Sequence, residues 1–152
     1  MSERMRAVAR WVPVVVLSGM LVGCVAPSPD SGAYLQNADS ALSSAVSEAR
    51  TAAVVLANSL SDNTTTSYAN TAITDSESAI GPIEDSFGNV DPPDSRSDKL
   101  RGQVMSMLGD TADACASARI AVRRGDREEM RATAAALRTL ADRMERFRKG
   151  LE

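Results

Sequence analysis

Histidine is absent from all 152 residues, and with it the commonest general base and the commonest transition-metal ligand. Aromatic side chains are nearly absent too. The five are Trp11, Tyr34, Tyr68, Phe87 and Phe147, fewer than sites that stack sugars or bases usually present. Lysine occurs only at positions 99 and 149, and no basic cluster of the kind that grips nucleic acid appears. Cysteine occurs twice, as Cys24 and Cys115.

What is present begins with charge and apolarity in a telling order. Arg4, Arg6 and Arg10 precede an apolar run over residues 12–22, and small Gly23 stands before Cys24. A positive region, a short apolar region and a small-residue junction are the layout of a secretion signal. The apolar stretch over residues 11–25 is only 15 long, against about 20 for a bilayer-spanning helix. It also contains Pro13 and leads into the polar run Ala26-Pro27-Ser28-Pro29-Asp30-Ser31. A cleaved signal is therefore expected rather than a retained anchor.

The four residues Leu21-Val22-Gly23-Cys24 resemble a bacterial lipobox. Fifteen arginines to two lysines, with abundant alanine, are similar to the small secreted lipoproteins of actinobacteria. The resemblance implies diacylglycerol on the Cys24 thiol, cleavage before Cys24 and a further acyl chain on the new amino group. It implies a location, the outer face of the cell membrane, and no active site. Two or three acyl chains make such attachment stable where one does not. On this reading residues 1–23 are removed, 24–32 form a lipidated tether and 33–152 form the domain. The remaining 129 residues carry 14 bases and 19 acids, a net charge of −5. Stretched fully, residues 25–32 reach about 27 Å, which keeps the domain near the lipid.

Beyond the tether the apolar spacing is helical throughout. Leu35, Ala38, Leu42, Ala45, Ala49, Ala52 and Leu56 alternate three- and four-residue steps and predict a first helix over residues 33–60, capped by Ser31. Ser61-Asp62-Asn63 reads as a turn. A second helix starts near Thr65 and uses Ala69, Ala72 or Ile73, Ser76, Ile80, Ile83, Phe87 and Val90. Gly81-Pro82 is expected to kink or break it, and Asp91-Pro92-Pro93-Asp94 to stop it. A third opens at residues 95–97 and ends at Arg124, before a capping Gly125. Its inner stripe is Leu100, Val104, Met107 or Leu108, Thr111, Cys115, Ala118 and Val122. Asp126 caps a fourth helix, with Glu129 reaching back, and Met130, Thr133 or Ala134, Leu137, Leu140, Met144, Phe147 and Leu151 face inward. The expected fold is all-α, an antiparallel up-down-up-down four-helix bundle. A coiled-coil oligomer fits less well, since each repeat ends at a turn after about four heptads.

The chemistry-bearing residues read blandly. Asp75, Glu77, Glu84 and Asp85 make an acidic helix, but inward-facing di-metal sites in bundles pair Glu with His, so a solvated acidic face is expected. That face complements the basic third and fourth helices. Cys115 has no partner once Cys24 is lipidated, and its place on an inner stripe makes it a small apolar filler. Met107, Met130 and Met144 are likewise core residues. The many serines (Ser40, Ser43, Ser44, Ser47, Ser59) lack any Ser-x-x-Lys or Gly-x-Ser-x-Gly context, so no nucleophile is indicated.

The sequence thus predicts no catalytic, cofactor or metal residue and no nucleic-acid partner. A non-enzymatic interaction or scaffold module of the envelope is expected, the alternative being a carrier of a small apolar ligand or lipid. Over residues 33–60 only Asp39, Glu48 and Arg50 are charged, and interface cores are depleted in charge, so a protein partner is expected on the first helix. The fourth helix should end beside the tethered start of the first, which brings Arg143, Arg146, Arg148 and Lys149 to the headgroups. Replacing Cys24 by Ala or Ser should abolish acylation, releasing the protein or stalling it as precursor. Labelled palmitate retained on the Ser variant would refute the lipobox.

Overall fold

The computed structural model describes residues 30–151, so the signal and Cys24 lie outside the described residues. Four helices make up the described chain: α1 (Ser31–Leu60), α2 (Thr66–Gly88), α3 (Ser95–Arg124) and α4 (Arg127–Lys149). Short links force consecutive helices to run antiparallel, and the result is a four-helix bundle. Named contacts fix the topology. Arg148 near the end of α4 pairs with Asp39 near the start of α1, and Arg127 at the start of α4 reaches the Leu60 carbonyl at the end of α1. Arg101 near the start of α3 likewise donates to the Gly88 carbonyl at the end of α2.

The caps explain where each helix begins. Asp30, not Ser31, caps α1: its Oδ1 accepts from the Ala33 amide at 2.8 Å, and the helix starts two residues earlier than the apolar spacing predicts. Thr65, Asp94 and Asp126 cap the other three. Glu129 donates its amide to Asp126, but its carboxylate does not return the bond as a capping box would. Oε1 accepts from the Thr133 hydroxyl at 3.2 Å instead. Gly125 closes α3 at φ 65°, a left-handed conformation in which a side chain is strained. The Asp126 amide reaches back to the Ala121 carbonyl and the Gly125 amide to Val122, which is a Schellman motif.

Of the kink or break expected at Gly81-Pro82, the break does not occur. The helix runs unbroken through Gly81-Pro82 to Gly88. Proline removes only the bond to the Ser78 carbonyl, and Ser78, Gly81 and Pro82 are all on the exposed side, where water can serve that carbonyl.

The core is continuous from end to end, and α1 dominates it. Besides the predicted Ala38, Leu42, Ala45, Ala49, Ala52 and Leu56, α1 buries Tyr34, Ala41, Val46, Ala53 and Val55. The stripe is this wide because α1 packs on both neighbours, α2 and α4, and also meets α3 across the bundle. Leu35 is only partly buried; Tyr34 takes the inward position at the end. On α3 every residue of the predicted stripe is buried. On α4 both Thr133 and Ala134 are buried, and Ala141 displaces Leu140 from the interior.

Leu137 is fully enclosed, whereas on α1 Ser43 is half-buried and Ser47 is exposed. Leu137→Ala should therefore cost about 2–5 kcal/mol in urea unfolding, against under about 0.5 kcal/mol for Ser47→Ala. Equal effects would mean that the inward face of α4 is wrongly assigned.

Candidate functional site

Charged side chains at the bundle surface are tied mostly across helices. Arg119 on α3 grips Glu77 on α2 through Nε to Oε2 and Nη2 to Oε1, the latter 3.2 Å, and this bidentate contact raises the guanidinium pKa. Glu77 is thus drawn to a neighbouring helix rather than gathered with Asp75, Glu84 and Asp85. Among the described residues no group of His, Cys, Asp or Glu is placed to hold a metal ion. The acidic face of α2 is, at Glu77, a salt-bridge face to α3.

The basic end of α4 divides in two. Arg148 is bidentate on Asp39 at 2.8 and 3.2 Å and also meets Glu145 at 3.3 Å; the Asp39 hydrogen bonds are the main cause of its raised pKa. Arg143 pairs with Asp110 on α3 at 3.4 Å. These two are held by the bundle itself. Arg146 and Lys149 are exposed and form no ion pair among the described residues.

Cys115 is fully buried in the α3 stripe. Desolvation, then the negative charges of Glu77 and Glu48, push its thiol from an ordinary 9.0 up to about 11. A protonated, enclosed thiol is a poor nucleophile. Tyr34, another buried acid, is shifted the same way by burial. Its ring lies 5.3 Å from that of Phe87 at a 46° tilt, and its hydroxyl finds no hydrogen-bond partner among the described residues. Asp94 moves oppositely. The Ser97 amide, then the Ser31 hydroxyl at 2.8 Å, hold its carboxyl below the usual range.

Several concavities mark the surface, and two of them bear on a ligand or partner. One is a groove of about 900 Å³ along the outer side of α1, floored by the buried Val46 and Val55. Val54 and Tyr68 also line it, and at 58% and 62% exposure they are the two most exposed large apolar side chains among the described residues. The other, about 650 Å³, sits where the starts of α1 and α3 meet the end of α4. Its apolar lining is Leu35, Leu100, Phe147 and Leu151.

No family model matches the chain, and no curated protein or solved structure matches it either. Among the described residues no helix is long and apolar enough to cross a membrane.

Sequence reasoning missed the two concavities and the arginines that serve neighbouring helix ends. Neither α1 nor α2 has a basic residue in its last turn, and that lack was the available signal that Arg127 and Arg101 would supply it from outside.

The raised thiol pKa gives a two-part expectation. At pH 8 a disulfide reagent should leave Cys115 unmodified in the folded protein and modify it at once in denaturant. Because the folded-state pKa lies above the unfolded one, the associated stability is present below about pH 9 and is lost as pH rises from 9 towards 11. Cys115→Ala should flatten that alkaline fall. Rapid labelling of the native protein would show that the thiol is reachable.

Proposed function

We propose that this chain is a lipid-anchored, non-enzymatic interaction or scaffold module on the outer face of the cell membrane, tethered through Cys24 and binding a protein partner through α1. The observation that carries the reading is the groove on α1. Val54 and Tyr68 project from it, and of its α1 side chains only Arg50 is charged. Large apolar side chains gathered where α1 offers a single charge resemble the composition of an interface core, with Glu145 and Arg148 of α4 also lining the groove. The low charge of α1 has a second cause, since its inner side is buried in the bundle. The partner surface is therefore narrowed to the outer strip of Ser47, Thr51, Val54 and Asn58.

The non-enzymatic part rests on the missing histidine and on the protonated, enclosed state of Cys115. Among the described residues the carboxylates with partners meet arginine, a helix amide or a hydroxyl. A carrier of a small apolar ligand or lipid is the second reading, favoured by the cavity at the end of the bundle. Within the bundle the buried alanines of α1 let helices approach closely and leave little room for such a ligand.

A photo-crosslinking residue at position 51 should capture a discrete envelope protein, and Val54→Asp should abolish that capture without changing the melting temperature. The same probe at Ile120, the third exposed large apolar residue and outside the groove, should capture nothing. Equal capture at both positions would overturn the assignment of the surface. A purified protein that turns over a substrate would overturn the non-enzymatic reading.

A further inference from the structure

We infer that the cavity at the α1/α3/α4 end of the bundle binds one anionic phospholipid of the membrane to which the chain is tethered, an inference that rests on the lipid-anchor reading. Three features support this occupant. The first is the shape of the chemistry: an apolar floor topped by Arg96, Lys99 and Arg146, all exposed and none ion-paired among the described residues. The only acid of the lining, Asp94, has its carboxylate engaged by the Ser97 amide and the Ser31 hydroxyl. The rim is therefore positive above an apolar base, complementary to a phosphodiester above acyl chains.

The second feature is continuity. A further concavity of about 620 Å³ shares Lys99, Gln103 and Phe147 with the first and continues past Met107 along the seam between α3 and α4. Together they offer a headgroup site at the end and a groove leading from it, lined by Met107 and Phe147 with Ser106 and Arg143 beside them. The end cavity falls within the roughly 300–1,000 Å³ usual for small-molecule sites.

The third is position. Asp30 caps α1 at this same end, and only five residues separate it from Cys24. Fully extended, that stretch spans about 20 Å. If Cys24 is anchored, the start of α1, whose Ser31 lines the cavity, is held within about that distance of the bilayer surface, where anionic headgroups are concentrated and each nearby base gains about 1 kcal/mol. Arg143 and Arg148, engaged by Asp110 and Asp39, are not part of this rim. The site therefore differs from a general attraction of the α4 terminus to charge.

The test uses the full chain, processed in a bacterial host and extracted from membranes in mild detergent. Intact mass reads the covalent lipid on Cys24. Native mass spectrometry after adding phosphatidylglycerol, or phosphatidylcholine with the same acyl chains, reads the non-covalent adduct. One phosphatidylglycerol should remain bound, at least about tenfold in excess of phosphatidylcholine, the effect of little more than one headgroup–base contact. Arg96→Glu combined with Arg146→Glu should remove the preference. Arg123→Glu combined with Arg124→Glu, at the far end of α3, should leave it intact. Equal retention of both lipids, or undiminished preference in the first variant, would overturn the inference. Missing mass on Cys24 with the preference intact would overturn the anchor reading alone.

Discussion

The burial of α1 by three neighbours at once is the constraint on which the other features depend. A helix enclosed on so many sides must present small residues, because close approach of several backbones leaves no space for long side chains. Ala38, Ala41, Ala45, Ala49, Ala52 and Ala53 meet that demand, with Leu42, Val46, Val55 and Leu56 filling the wider gaps. The scarcity of charge on α1 is first a consequence of this enclosure, since an unpaired buried charge is costly. Only the strip left facing outward is available for recognition, and there the same scarcity has a different meaning.

Arginine holds the ends of the bundle together. At each end a guanidinium from the start of one helix reaches the last carbonyls of its antiparallel neighbour: Arg127 to Leu60 and Arg101 to Gly88. The planar, multi-donor head suits this work, because one arm can serve a carbonyl while another meets a carboxylate, as Arg127 does with Asp62 at 3.3 Å. Lysine, a point charge with less directional donors, suits it less well, and the composition of the chain is consistent with that. Along the sides Arg119–Glu77 and Arg148–Asp39 add bidentate ties between α3 and α2 and between α4 and α1.

Helix number, order and approximate limits were legible in the sequence because the breaks between helices are chemically unambiguous. Ser61-Asp62-Asn63, the paired prolines at 92 and 93, and Gly125-Asp126 each interrupt a helical period. Cys115 was legible for a similar reason, lying in step with the apolar spacing of its stripe. The errors arise where adjacent residues are both acceptable and the neighbouring helix decides between them: Asp30 over Ser31 as cap, Ala141 over Leu140, Tyr34 over Leu35. Whether Pro82 breaks its helix was not legible, because its cost depends on which side of the helix it faces, and on the exposed side water can serve the freed carbonyl. The end cavity was invisible to any single-helix reading, since its floor comes from residues 35, 100, 147 and 151, which only the antiparallel arrangement brings together.

The absence of histidine, joined to the upward displacement of the Cys115 and Tyr34 pKa values, leaves the charge pattern of the domain almost invariant. Ordinary carboxylates are ionised above about pH 5, and arginine and lysine remain protonated past about pH 10. Side chains that would titrate in between are lacking, and the acid nearest that window is moved away from it by burial. On the proposed outer face of a cell, the domain would meet whatever acidity the surroundings impose. The cross-helix ion pairs of this bundle, and the positive rim at its end, would present the same electrostatic surface through all of the mildly acidic to mildly alkaline range.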